Sequence, residues 1–166
     1  QSPTHETDTY TEVVDRASAW YQLTMTAKYS YDERSLPPVY GEGSAYLANY
    51  QDTDGEFLYG NRAYRLRVPA NVPAANFWNL TVYNNKTRSM IQNKQGVISL
   101  GSPDKLTVND DGSVDLYLSP ERPKGIEHNW IQTNSDEGWF VLFRFFGPEK
   151  PYFDRSWKLH NFERLN

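Results

Sequence analysis

Polar and apolar residues alternate along most of the chain after residue 45, and a period of two is typical of half-buried strands. The clearest example lies at residues 77–83. Its apolar and polar faces consist of Trp78, Leu80 and Val82 and of Asn79, Thr81 and Tyr83, respectively. A strand with one apolar face covers a core on one side only. We therefore expect this strand to border the interior of a sheet structure.

Further segments support the same interpretation. Residues 64–68 alternate until Pro69, which ends the strand because proline has no backbone donor. Segments 106–108 and 113–118 flank an Asp-Gly turn, which predicts a hairpin. The inward face of its second strand consists of Val114, Leu116 and Leu118. Residues 139–146 are apolar on both faces, which predicts a central strand covered on both sides.

A helical period precedes the strands. Thr9 and Glu12 form a capping box, and apolar residues then recur every three or four positions. We predict a flexible tail at 1–8, a helix over 9–28 and a sandwich domain over 45–166. One N-terminal α-helix followed by many short strands with Gly, Pro and Asp turns is typical of a mostly β fold. The sequence indicates a β-sandwich with Greek-key connections.

Composition narrows the classes of function. Aromatic residues make up 15% of the chain, which suits a sandwich core and also ring-stacking ligands such as carbohydrates. The net charge is −4 and no block of five Lys or Arg residues occurs, so we expect no nucleic-acid partner. No apolar run reaches the roughly 20 residues that span a bilayer, so no membrane insertion is expected. With no cysteine and three histidines, the sequence predicts no metal site and no cofactor.

Several segments occur together in a recognisable order. They are YRLRVP at 64–69, FWNLTVY at 77–83, TRSM at 87–90, the segment 109–117, NWI at 129–131 and FRFFGP at 143–148. In this order they resemble the bacterial family called domain of unknown function 1214, and the resemblance covers residues 46–163. One departure is Asn79, where the family motif more often carries Ser. Any reaction of the relatives that needs this hydroxyl would be lost here.

The resemblance implies a jelly-roll-like β-sandwich at the C-terminal end of a larger protein. It also implies a second β-rich domain, of the family numbered 1254, with helical elements between the two. The N-terminal domain of the same parent protein is therefore the expected partner, and a periplasmic or secreted location is favoured. Because the chain begins with Gln1 rather than Met, we expect it to be a fragment of that protein.

Arg144 interrupts an aromatic strand with a positive charge. A buried arginine needs a partner, because an unpaired buried charge costs roughly 3–5 kcal/mol. One interpretation is an ion pair with an acid on a neighbouring strand, such as Asp115. The other is a guanidinium on the floor of a cleft that binds an anionic or hydroxyl-rich ligand. Arg65 and Arg67 share one face of their strand, and we expect them to lie in solvent with their stems on apolar neighbours.

A polar ligand site is predicted from side chains near Arg144 and in a polar loop. Its candidate residues are Arg144, Tyr83, Thr81, Asn79, Asn129, Trp130 and Glu127. The sequence assigns no catalytic residue, because no histidine accompanies a nucleophile motif. We predict an accessory module that packs on a second domain and binds a polar or carbohydrate-like ligand. The alternative is part of a hydrolase or lyase that acts on a polar polymer or ester through Arg144, Tyr83 and Glu127.

Overall fold

The strands form two sheets that pack face to face. The computed structural model describes residues 20–23 and 40–166. Its elements are β1 Trp20–Leu23, β2 Ser44–Asn49, β3 Ala63–Val68, β4 Ala74–Asn84, β5 Ser99–Gly101, β6 Val114–Ser119, β7 Trp130–Gln132, β8 Trp139–Pro148, α1 Lys150–Phe153 and β9 Glu163–Leu165. The first sheet has the strand order β1-β2-β8-β4-β5, and the second has the order β7-β6-β3-β9. The predicted mostly β, two-sheet fold is confirmed.

The segments with the strongest patterns are strands at the predicted positions. β3 and β4 contain residues 64–68 and 77–83. β8 contains residues 139–146 and lies between β2 and β4 in the middle of the five-stranded sheet, as its two apolar faces predict. Neighbouring strands are antiparallel except β6 and β7, which are parallel.

The core lies between the two sheets and joins inward residues of both. Trp78, Leu116 and Phe143 belong to one buried cluster. The rings of Trp78 and Phe143 stack with their centroids 5.1 Å apart. Burial of side chains of this size contributes about 1.5–3 kcal/mol each. Because successive residues of a strand point to opposite faces, the inward position of Phe143 directs Leu142 and Arg144 away from the core.

An edge strand takes the place of part of the predicted helix. Trp20–Leu23 pairs with β2 in antiparallel register, so the helix prediction over 9–28 is wrong for these four residues. Trp20 is buried, its ring packs against Phe143, and its Nε1 donates to the carbonyl of His160 at 2.8 Å. These contacts and the backbone pairing outweigh the helical spacing, because tertiary packing overrides local propensity.

Within residues 20–23 and 40–166, the one α-helix lies near the other end of the chain. α1 follows β8 directly and has Pro151 in its first turn, where a missing N–H costs nothing. The remaining positions of the predicted helix over 9–28, and the predicted tail at 1–8, lie outside the described residues.

The predicted hairpin forms only in part. The turn at 109–112 is present, with a φ of +81° at Gly112, and leads into β6. Residues 106–108, however, form no strand. The amide of Asn129 holds this segment instead, since it accepts from the backbone N–H of Thr107 and donates to its carbonyl, both at 2.8 Å.

Candidate functional site

The side of the five-stranded sheet that points away from the core is rich in aromatic rings, and we call it the outer face. Its side chains on and beside β2, β4 and β8 are Tyr46, Ala48, Tyr50, Phe77, Asn79, Thr81, Tyr83, Phe140, Leu142, Arg144 and Phe146. Most of them are half-buried. Four of the predicted site residues, Arg144, Tyr83, Thr81 and Asn79, lie together on this face.

The rings of the outer face stack across neighbouring strands. Phe77 and Phe146 have their ring centroids 4.0 Å apart. Phe140 contacts Tyr50 and Tyr83, with centroid distances of 4.7 and 5.3 Å. Such pairs contribute about 0.5–1.5 kcal/mol beyond the burial of their area. The outer face therefore carries two groups of stacked rings, Phe77 with Phe146 at one end of the strands and Phe140 with Tyr50 and Tyr83 at the other.

Arg144 lies in the middle of the outer face on the central strand β8. The strand register places it opposite Tyr46 of β2 and Asn79 of β4, and we call these three residues the Arg144 row. The Nη2 of Arg144 donates to the hydroxyl of Tyr83 at 2.5 Å. Its guanidinium carbon lies 5.4 Å from the centre of the Tyr46 ring. A phenol and a ring orient this cation but do not neutralise it.

Two buried polar atoms of the Arg144 row have no hydrogen-bond partner among the described residues. They are Nε of Arg144 and Oδ1 of Asn79. A buried donor or acceptor that stays unpaired costs about 1–3 kcal/mol. Thr81, two positions along β4, differs because its hydroxyl donates to that of Ser99 at 3.2 Å. The Arg144 row thus contains one buried donor and one buried acceptor, on adjacent strands, that no described residue satisfies.

The predicted ion pair between Arg144 and Asp115 is wrong, because Asp115 lies on β6 of the other sheet. Asp115 accepts two hydrogen bonds of 2.9 Å from Arg67. These bonds, and a further one from Asn109, hold the pKa of the Asp115 carboxyl below its ordinary value. In the described part of the chain, no carboxylate oxygen lies within 4 Å of Arg144.

Arg65 and Arg67 are partly exposed, yet each has an ion-pair partner on a neighbouring strand. Arg65 binds Glu163 of β9 at 2.5 Å, and this hydrogen bond raises the pKa of Arg65. Arg67 binds Asp115 of β6. The Arg65 side chain is 34% exposed and that of Arg67 is 50% exposed, so the expectation that both lie in solvent holds in part and misses the cross-strand partner of each.

Two more of the predicted site residues hold the four-stranded sheet together. The buried amide of Asn129 makes three hydrogen bonds, two to the backbone of Thr107 and one to the carbonyl of Asp115. The indole Nε1 of Trp130 donates to the hydroxyl of Ser119 at 3.0 Å. Both side chains act on the protein's own backbone and neighbours, away from the outer face.

Glu127 lies on the loop before β7. Its side chain is 79% exposed, and its carboxylate lies 3.5 Å from Nε2 of His128. β7 is an edge strand of the four-stranded sheet, whereas Arg144 lies on the central strand of the other sheet. The structure does not bring Glu127 together with Arg144 and Tyr83.

Arg88 belongs to the outer face, although sequence reasoning did not identify it. It adopts a φ of +62°, and its guanidinium carbon lies 5.7 and 5.3 Å from the ring centres of Tyr50 and Phe140. Its Nη1 also donates to the hydroxyl of Tyr50 at 3.3 Å. A residue in the loop after β4 shows no alternation, so the sequence carries no signal for the face it joins.

Residues 20–23 and 40–166 meet the requirements of neither a metal centre nor a membrane-spanning helix. No group of three His, Cys, Asp or Glu side chains in these ranges is close enough to hold a metal ion. No helix in these ranges has the length and apolar character to cross a membrane.

Comparison with solved structures finds the same fold. The crystal structure of the VPA0106 protein from Vibrio parahaemolyticus is similar over 81% of this chain, with 21% sequence identity and a TM-score of 0.67. An uncharacterised protein from Burkholderia cenocepacia matches over 95% of the chain, with 18% identity and a TM-score of 0.47. The chain spans 33% and 38% of those two chains. A search of the curated proteins gave no match.

A family comparison identifies the domain. Residues 43–150 match the family described as Protein of unknown function (DUF1214). The match runs from the start of β2 to the end of β8, so it includes every described strand of both sheets except β1 and β9. It thereby covers the Arg144 row and more than half of the sequence, and this chain belongs to the DUF1214 family.

Proposed function

We propose that this chain is an accessory β-sandwich module that packs the outer face of its five-stranded sheet against a second domain of a longer protein. The observation that supports this most directly is the stacking of rings on that face. The solvated face of an antiparallel sheet is usually polar. Aromatic side chains, Met and Arg are enriched where proteins contact one another.

Apolar surface continues beyond the edge of the stacked rings. Met90 pairs with Tyr83 in an isolated bridge, which places it on the outer face, and it is 50% exposed. Contiguous apolar surface on a soluble protein marks an interaction site. The proposed contact therefore includes this end of the sandwich as well as the sheet itself.

The four-stranded sheet has a different surface character. Its outward side chains include the ion pairs of Arg65 with Glu163 and of Arg67 with Asp115. Charged side chains that pair with one another remain compatible with water. The contrast favours docking through the five-stranded sheet alone.

The length of the structural neighbours supports a partner within the same polypeptide. This chain corresponds to one third of the Vibrio parahaemolyticus protein, so the shared fold occurs there inside a longer chain. We propose that the second domain is the β-rich domain of the family numbered 1254, encoded ahead of this one.

Hydroxyl-radical footprinting tests the docking face. Oxidation of Tyr46, Phe77 and Phe146 is compared between the 166-residue chain and the complete protein encoded by its gene. We expect these rings to be protected in the complete protein, while Tyr117 on the four-stranded sheet is oxidised equally in both. Equal oxidation of the outer-face rings in the two proteins would contradict the proposal. A gene that encodes no further domain would contradict it as well.

A polar or carbohydrate-like ligand is the second candidate function. It is favoured by the unpartnered atoms of the Arg144 row beside aromatic rings, since sugars bind to rings and hydrogen-bonding groups together. Isothermal titration of the 166-residue chain with a panel of neutral and acidic glycans tests it. Absence of heat with every glycan removes this candidate.

The hydrolase or lyase alternative lacks comparable support. It requires Arg144, Tyr83 and Glu127 in one site, and Glu127 belongs to an exposed loop of the other sheet. Replacement of Glu127 by Gln in the complete protein would abolish turnover if the alternative holds, and unchanged turnover would dismiss it.

A further inference from the structure

We infer that Arg144 binds a carboxylate side chain of the docked second domain, at the centre of the outer face. The inference rests on the proposed function and adds the chemistry of the contact to it. It assigns the partner surface one Asp or Glu that faces the Arg144 row.

Among the described residues, Arg144 has no carboxylate partner although the chain is rich in acids. The chain has 21 Asp and Glu residues against 17 Lys and Arg. The strand arginines of the four-stranded sheet, Arg65 and Arg67, each have a carboxylate partner within 3 Å. Arg144 and Arg88 of the outer face bind tyrosine hydroxyls and lie over rings instead. In the described ranges, therefore, the cations of one face are neutralised and those of the other are not.

The unpartnered atoms of the Arg144 row indicate the geometry of the missing group. Nε of Arg144 is buried and donates to nothing in the described structure. A guanidinium binds a carboxylate best through two parallel N–H groups. Because Nε is buried, the side chain of Arg144 must turn outward when the partner docks for Nε–H to be one of them. Oδ1 of Asn79, on the adjacent strand, accepts from nothing either.

The position of the row favours a protein side chain over a free ion. Arg144 is on the central strand, with ordered rings on both flanking strands, so a contact here is surrounded by apolar surface. Interface groups that contribute most lie in such water-excluded centres, and arginine is common among them. Small ions and ligands bind in concave sites. The open cleft lined by Tyr40, Gly41, Glu149, Lys150 and Pro151 contains no residue of the row.

Hydrogen exchange in two contexts tests the inference. Exchange of peptides from β6 and β8 is followed by mass spectrometry in the 166-residue chain and in the complete protein encoded by its gene. Loss of one partner of a buried interface ion pair weakens binding by about 30-fold or more. We therefore expect Arg144→Met to accelerate exchange about 30-fold in the complete protein. In the 166-residue chain, which holds no carboxylate beside Arg144 among its described residues, we expect less than a threefold change.

Matched variants separate this inference from the proposed function. Arg67→Met should accelerate exchange equally in both contexts, because its partner Asp115 is part of this chain. Arg144→Lys keeps the charge but loses the planar fork, so an intermediate acceleration in the complete protein is expected even if Arg144→Met fails to fold. If each Arg144 variant changes the exchange rate equally in the 166-residue chain and in the complete protein, the inference that Arg144 binds a partner carboxylate is overturned. Phe146→Ser then tests the proposed docking of the outer face. A larger acceleration of exchange in the complete protein than in the 166-residue chain supports docking, and equal accelerations contradict it.

Discussion

At the residue scale, the two sheets satisfy their arginines in different ways. Arg67 donates two parallel hydrogen bonds to Asp115, and Asn109 donates a third. Arg144 rests on a ring and a phenol. A bidentate carboxylate fixes both position and charge, whereas a ring orients the cation and leaves its charge available. The same residue type therefore stabilises the fold on one sheet and is suited to recognition on the other.

Asp115 should make the stability of the domain depend on acid pH. Its pKa is lowered by hydrogen bonds from Arg67 and Asn109, so the folded state binds a proton less readily than the unfolded chain. The stabilisation is complete above the unfolded value of about 3.9 and is lost as pH falls through the folded pKa. We expect Asp115→Asn to be less stable than the wild type at pH 7 and to lose less stability between pH 5 and pH 2. Urea unfolding at both ends of that range measures the difference. Parallel pH profiles for the two proteins would contradict the assignment.

Among the polar groups of the candidate site, the side-chain amide of Asn129 should contribute most to the free energy of unfolding. It is buried and makes three hydrogen bonds to backbone groups. Asn129→Ala leaves those groups unpaired, and we expect a loss of roughly 2–4 kcal/mol in the free energy of unfolding. Asn76→Ala, at an exposed position on β4, is the control and should change stability by less than about 0.5 kcal/mol. Chemical denaturation compares the two variants, and similar small losses would contradict a stabilising role for the hydrogen bonds of Asn129.

At the scale of elements, the sequence predicts strands correctly where a segment shows one hydrophobic pattern and no competing one. β3, β4 and β8 have clean alternation or continuous apolar character, and all three lie where the pattern indicates. The apolar residues around β1 recur at helical spacing. Trp20 nevertheless lies in the core, because this segment pairs with β2 as a strand. That pairing joins residues more than twenty positions apart, so no local window contains it.

The candidate site divides for a related reason. Alternation places Asn79, Thr81 and Tyr83 on one face of β4, and the register of β8 adds Arg144. The sequence prediction groups Asn129, Trp130 and Glu127 with them because of their polar or aromatic character. Which sheet a loop and a short strand join depends on strand order, and β7 joins the four-stranded sheet through a parallel pairing with β6. Spacing along the chain does not encode such a connection.

The pairing of β4 with β5 depends on the absence of a side chain at Gly101. A Cβ at this position would lie 2.2 Å from the carbonyl oxygen of Trp78 and 2.7 Å from Cβ of Asn79. Because both atoms belong to the opposite strand, Gly101→Ala should force the strands apart and cost about 1–3 kcal/mol. Gly138→Ala is the matched control, since its Cβ would meet its nearest neighbour at 3.6 Å in ordinary contact. Thermal unfolding of the two variants measures the contrast, and equal melting temperatures would show that β5 moves freely.

At the scale of the whole molecule, the outward surfaces of the two sheets differ in character. The four-stranded sheet presents ion pairs that are satisfied within the chain. The five-stranded sheet presents stacked rings, Arg144 and Arg88. The outward side chains of both sheets lie outside the core that the sheets share. The difference between the two surfaces is therefore not required by the packing of the sandwich. The proposed docking would account for it, because it covers the aromatic side with a neighbouring domain.

This asymmetry predicts how the 166-residue chain behaves without a neighbour. An uncovered aromatic face associates with other copies, because contact removes apolar surface from water. Sedimentation velocity should therefore detect association that increases with protein concentration. Phe146→Lys adds a charge to the outer face and should reduce this association, whereas Tyr117→Lys on the four-stranded sheet should leave it unchanged. Association that is lost equally in both variants would place the contact elsewhere. A wild-type chain that stays monomeric at every concentration would show that the outer face needs no cover.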